Sequence, residues 1–138
     1  MIVRGTTPYH SFILPLLAED ISEIYITYLQ NGEVILDKGS ADVTIDNVVD
    51  LLENASMENL TEEELNSSQV TVHLSQEDTL KFTFYPAARK NIAVVQIRLL
   101  TTDGEAFASN PIRERIFGVL KDGVIGAVEE VGNEENMG

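Results

Sequence analysis

The stretch Glu23-Ile24-Tyr25-Ile26-Thr27-Tyr28-Leu29-Gln30-Asn31-Gly32-Glu33-Val34-Ile35-Leu36-Asp37 decides the fold class. Ile24, Ile26 and Tyr28 fall on one face of an extended chain, and Tyr25, Thr27 and Leu29 on the other. That is the period-two pattern of a strand. Asn31-Gly32 interrupts it, and a second β-rich run, Glu33 to Leu36, follows at once. Both residues of the pair tolerate the positive φ of a type I′ turn. The segment therefore predicts a tight antiparallel hairpin from Glu23 to Asp37.

Toward the N-terminus, His10, Phe12, Leu14 and Leu16 alternate with Tyr9, Ser11, Ile13 and Pro15. This predicts a first strand that Pro15 ends or confines to a sheet edge. Beyond the hairpin, Gly39-Ser40 predicts a turn and Asp42 to Ile45 a short strand. Asp46 to Ser68 breaks the alternation: Val48, Val49, Leu51 and Leu52 recur at helical spacing behind Asp46 as an N-cap. Thr61-Glu62-Glu63-Glu64 has the form of a capping box, with Glu64 reaching back to Thr61. Two short helices joined around Ala55 to Glu58 are expected here, inserted in a β framework.

Alternation resumes at Val70, Val72 and Leu74. Ser75 to Asp78 predicts one helical turn ahead of a run from Leu80 to Phe84. Ile92 to Leu100 is apolar on both faces, as a central strand requires. Asp103-Gly104 predicts a second hairpin whose return begins at Glu105. After a break at Asn110-Pro111 it continues from Ile112 to Val119 as a half-exposed edge strand. A helix over Ile112 to Leu120 is the competing reading.

Seven or so short strands, two tight hairpins and no βαβ alternation give a mainly β fold. The expected form is an antiparallel immunoglobulin-like β-sandwich with a short helical insertion, a small barrel being the alternative. The Cys–Trp–Cys set of antibody domains is missing. The 138 residues fit one domain. The expected division is a sandwich over 1–120, carrying the insertion at 46–68, and an acidic tail over 121–138. Asp122 to Gly138 holds four glycines, five carboxylates and no cation.

Nine basic residues against 23 acidic ones give a formal charge of −14. Such a balance lacks the cations that neutralise phosphates, so neither nucleic acid nor an anionic membrane is an expected partner. It suits a partner with a basic surface, and equally a chain that acid merely keeps in solution. Met1 to Gly5 shows no basic segment followed by an apolar run, so no signal peptide is expected. The apolar runs are too short to span a membrane as a helix. No cysteine is present, which excludes disulfides, thiolate metal sites and a cysteine nucleophile.

Only two histidines occur, His10 and His73, each in an expected strand. A metal site would need them to converge with a carboxylate. No G-x-S-x-G elbow, G-x-G-x-x-G loop, P-loop or EF-hand pattern is present. The carboxylate clusters Asp46/Asp50 and Glu62-Glu63-Glu64 sit where helix starts favour acid. No catalytic residue, cofactor or metal is therefore assigned. What remains is surface for association. The first and last strands offer sheet edges as templates for another chain. Arg113 and Arg115 stand out in so acidic a chain and are candidate contacts, as are Glu129, Glu130, Glu134 and Glu135 of the tail. The arginines would meet acidic groups of a neighbouring copy; ordinary edge protection by charge accounts for them equally well.

The opening Arg4-Gly5-Thr6-Thr7-Pro8-Tyr9-His10-Ser11-Phe12-Ile13-Leu14-Pro15 resembles the start of small uncharacterised proteins encoded in phages and prophages of Gram-positive gut bacteria. These begin with an R-G-T-T-P segment and a strand ending in Leu-Pro. The stretches Ile26–Ile35, Leu74–Phe82 and Val95–Gly104 share the resemblance, so it covers most of the β framework. The opening is also loosely similar to the N-terminal immunoglobulin-like domains of phage baseplate proteins. The chain departs from these relatives at Asp46–Ser68, where they have a short turn, and in its tail. The resemblance implies a virion structural protein associated with the head, neck or tail and assembled in the host cytoplasm. Its partners would be other virion proteins and copies of itself. No catalytic residue comes with the resemblance. A carbohydrate- or receptor-binding module of a host-attachment device is the alternative, and a small hydrolase would need His10 or His73 beside a carboxylate.

Overall fold

The computed structural model describes residues 1–52, 59–87 and 91–126. Its elements run β1 (Ile2–Val3), β2 (Tyr9–Leu14), β3 (Ile21–Gln30), β4 (Glu33–Lys38), β5 (Val43–Asn47), α1 (Val48–Leu51), α2 (Glu62–Leu65), β6 (Ser68–His73), α3 (Gln76–Leu80), β7 (Ile92–Thr101), β8 (Ala106–Ala108) and β9 (Ile112–Phe117). The larger sheet has the order β1-β9-β7-β3-β4, with β8 also on β7, and the smaller sheet the order β2-β6-β5. All pairings are antiparallel except β1 with β9. In immunoglobulin terms, β3, β7 and β9 are strands C, F and G, with β4 as the C′ strand of variable-type domains. Strands β2, β6 and β5 are then B, E and D. The fold is an antiparallel immunoglobulin-like β-sandwich with a short helical insertion.

The hairpin that decides the fold forms where its sequence places it. Asn31 and Gly32 take φ of 53° and 80°, the positive pair of a type I′ turn. Its alternation sends Ile24, Ile26 and Tyr28 inward against Val70 and Val72 of β6 and Ala93, Val95 and Ile97 of β7. In antibody domains a strand-C tryptophan packs on a disulfide between the sheets. Here Tyr28 of β3 is fully buried, and its hydroxyl lies 2.7 Å from His10 Nδ1 of β2. Phe82 closes the cluster edge-on to Tyr28, with ring centroids 5.9 Å apart. A polar bond thus ties the sheets where cysteines are lacking.

The R-G-T-T-P segment carries the chain from one sheet to the other. Arg4 N–H bonds the Phe117 carbonyl at 2.9 Å, completing the short parallel pairing, and Gly5 then turns the backbone at φ +80°. The Gly5 N–H donates to Thr79 Oγ1, and that hydroxyl donates to the Thr6 carbonyl, both at 2.9 Å. Pro8 offers its carbonyl to Leu74 N–H, which starts the β2–β6 ladder. A side chain at Gly5 would be strained by its φ and would also lie 3.2 Å from the Gly123 carbonyl. The motif is a sheet-switching crossover anchored on a buried threonine.

Some local expectations are corrected. Asp46 belongs to β5 and the residue ahead of α1 is Asn47, whose side chain instead accepts from Ala18 N–H and donates to Glu19. No strand forms over Leu80 to Phe84. Helix α3 continues through Leu80 from a Ser75/Asp78 capping box. Gln30 then bonds both backbone groups of Thr83, at 2.7 and 2.8 Å, occupying what a ladder would use. As expected, residues 112–117 are strand and not helix, because β7 offers them a partner from Ile92–Arg115 to Val95–Ile112. Strand β1 was not expected; two residues are too few to show a period. Thr61 and Glu64 do form the expected capping box. The joint around Ala55 to Glu58 lies outside the described residues except at its flanks. Residues 121–126, placed in the tail by composition, run back along the sandwich. Asp122 pairs with Arg4 at 2.7 Å, and Ile125 exchanges two backbone bonds with the Gln76 amide.

Lys38 of β4 donates to Asp78 of α3 at 2.8 Å, clamping the larger sheet to the turn that caps its base. Burial pushes the Asp78 carboxyl up, but the hydrogen bonds from Lys38 and Ser75 outweigh it and hold it below its ordinary value. A lowered native pKa gives a stabilisation that is complete above the unfolded pKa, about 4, and lost as pH falls through the native one. Asp78→Asn is expected to cost about 1–3 kcal/mol at pH 7, between the values for exposed and buried pairs. Chemical denaturation of both proteins at pH 7 and pH 3 checks this: the difference should shrink at the lower pH.

Candidate interaction surface

The two histidines sit on neighbouring strands but face opposite ways. His10 points into the core, opposite Val72, while His73, opposite Tyr9, points outward. The Tyr9 and His73 rings stack at 3.9 Å, 6° from parallel. His10 Nε2 lies 3.0 Å from the Met1 carbonyl, which can only accept, so that nitrogen carries the proton. In the neutral ring Nδ1 is then left to accept from the Tyr28 hydroxyl. Burial pushes the Tyr28 phenol well above its ordinary pKa, with the charges of Glu114 and Asp78 adding to it. The phenol therefore remains a donor at every physiological pH. His10 is a core residue, and among the described residues no group of three or more His, Asp or Glu is placed to hold a metal.

An apolar cleft of about 330 Å³ opens between the sheets at one end of the sandwich. Leu14, Pro15 and Leu16 form one wall, and Ile97, Leu99 and Phe107 the other. Its one polar lining side chain, Ser109, is already bonded to the Ile97 N–H and the Asn110 carbonyl. No titratable group lines it, so it offers shape and not chemistry.

The outer face of the larger sheet is different. Register places Val34, Leu29, Val94 and Arg113 in one row across β4, β3, β7 and β9. Ile92 and Arg115 form the next row on one side, and Asp37, Thr27 and Gln96 the next on the other. Arg113 and Arg115 are exposed, as is Arg98 on β7. None of the three makes an ion pair among the described residues. The Arg115 guanidinium lies over the Phe117 ring, 5.4 Å from its centroid. No described helix lies across this face: α1 and α2 stay with β5, and α3 sits at the base. Three of the nine cations of the chain thus stand on one face that no described helix covers.

Of the edges expected to be open, β2 does border the smaller sheet. Strand β9 does not run free along its whole length, since β1 pairs with its last two residues, Ile116 and Phe117. Arg113 and Arg115 lie where expected, on the solvent side of that strand. Glu129, Glu130, Glu134 and Glu135 lie outside the described residues. Arg98 was not singled out from sequence, although period two from Val94 and Gln96 places it on the same face.

No protein-family model and no curated protein matches the chain. Among solved structures, an uncharacterised protein, lmo2446, from Listeria monocytogenes EGD-e, crystallised with α- and β-D-glucose, magnesium and calcium, aligns over 83% of this chain at 11% identity and a TM-score of 0.46. The chain spans 8% of that protein. The V domain of amphioxus IgVJ-C2 aligns over 86% of this chain and 97% of its own, at 11% identity and a TM-score of 0.28. The class assigned here, an immunoglobulin-like sandwich, rests on strand order and register.

Removing the hydroxyl that joins the sheets is expected to be felt throughout the core. Tyr28→Phe leaves His10 Nδ1 buried without a partner and should cost about 1–3 kcal/mol, read as a lowered urea midpoint at unchanged slope.

Proposed function

We propose that this protein is a structural component of a bacteriophage particle and works by docking to other proteins through the outer face of its larger sheet. The observation that carries the docking role is that face, covered by no described helix, with three exposed arginines and an apolar centre in a chain of charge −14. Arginine is favoured at protein interfaces, where its planar fork matches carboxylates. The particle itself comes from the resemblance of the Arg4–Pro15 opening and its companion stretches to phage and prophage proteins. In this structure the opening forms the crossover between sheets, so relatives that share it would share a fold-making element.

A sugar-binding module would gather aromatic rings on one surface. The exposed rings here diverge. Tyr9 stacks on His73 outside the smaller sheet, Tyr25 stands on the larger sheet, Phe107 faces the cleft, and Tyr85 lies ahead of β7 with its backbone held by the Asn91 side chain.

Mass spectrometry of purified particles from a host strain carrying the gene, with heads and tails separated, tests the reading. The protein is expected in one fraction at a copy number comparable to other structural proteins. Its absence from mature particles would overturn the virion assignment.

A further inference from the structure

We propose that a second copy of this chain occupies the outer face of the larger sheet, the two related by a two-fold axis parallel to the strands. The inference rests on the docking reading above and names the partner. Its ground is that the face is electrically two-sided. Strand β9 carries Arg113 and Arg115 at one edge, and the β4 edge carries exposed Asp37 beside Thr27. Between them lie Leu29 and Val94, directly opposite each other, with Val34 beyond Leu29 at 61% exposure.

Rotation about an axis along the strands, lying between β3 and β7, lays β9 of one copy over β4 of the other and keeps the rows level. Arg113 then arrives over the Val34 row, one row from Asp37, while Arg115 comes level with the Asn31-Gly32 turn. Leu29 and Val94 meet their counterparts near the axis. The match is isologous, so the Arg113–Asp37 contact is made twice. A uniformly acidic partner would be repelled by the β4 edge, and a uniformly basic one by the β9 edge. A copy of the same surface satisfies both. The remaining negative charge opposes pairing only weakly, because beyond about 8 Å it is screened at physiological ionic strength.

The face is roughly 20 Å on a side, at or below the patch of about 800 Å² that each partner gives to a standard interface. Pairing is therefore reversible, and is sought at about 100 µM protein. Sedimentation equilibrium of the full chain is expected to show a monomer–dimer equilibrium. R113E and D37R should each weaken it at least tenfold, and an equimolar mixture of the two should restore it. Val34→Lys, an exposed change at the row end, should weaken it as well, while thermal unfolding verifies that every variant folds. A wild-type monomer at that concentration, a dimer indifferent to charge reversal, or a mixture that stays monomeric overturns the proposal. A monomeric protein still present in particles would refute self-pairing and leave docking to other proteins standing. Loss from particles with pairing intact would refute only the virion role.

Discussion

The bond between His10 and Tyr28 is the constraint on which the rest of the sandwich depends. Two sheets packed face to face are held mainly by apolar burial, which is strong but not directional. Something must fix how one sheet sits on the other. Antibody domains use a disulfide and a tryptophan for this. In this cysteine-free chain a buried tyrosine hydroxyl reaches a buried imidazole across the layers. A polar pair in the core is tolerated only when both members are satisfied. The Met1 carbonyl satisfies the other imidazole nitrogen, which brings the β1 segment into the same network. From there Arg4 and Gly5 lead directly into the crossover that Thr79 locks. The opening of the chain, the core and the α3 turn are therefore one connected structure.

With the interior so committed, function is left to the exterior. The histidines are occupied, one by the core and one by a surface stack. The cleft is apolar and contains no group that could move a proton. The outer face of the larger sheet combines exposed charge, apolar side chains and an absence of covering elements among the described residues. Its strands are the longest in the chain, Ile21–Gln30 and Ile92–Thr101, so the surface rests on the best-supported ladder in the molecule. A rigid platform of this kind suits repeated docking, because little ordering entropy is lost on contact.

How far the sequence discloses this depends on the kind of signal. The hairpins at Asn31-Gly32 and Asp103-Gly104 were legible because turn chemistry is local. The sandwich was legible because strand periodicity and connection length are local too. Strand β1 was hidden, since its existence depends on β9 more than a hundred residues away. The path of Leu80–Phe84 was hidden for the same reason: Gln30 captures the Thr83 backbone from across the fold. For the site, Arg113 and Arg115 were visible as lone cations on an alternating strand. Their neighbours Leu29, Val34 and Val94 were not, because register between strands decides which side chains share a row. Arg98 sat in a run that reads as apolar throughout, and only pairing shows it facing out.

The claim that a second copy pairs with the outer face of the larger sheet can be tested directly by amide NMR spectra of the full, isotope-labelled chain over a dilution series. The account predicts concentration-dependent shifts centred on Thr27, Leu29, Val34, Ile92, Val94, Arg113 and Arg115. Shifts centred on the β2 edge or the Leu14–Phe107 cleft, or none at all, would contradict it.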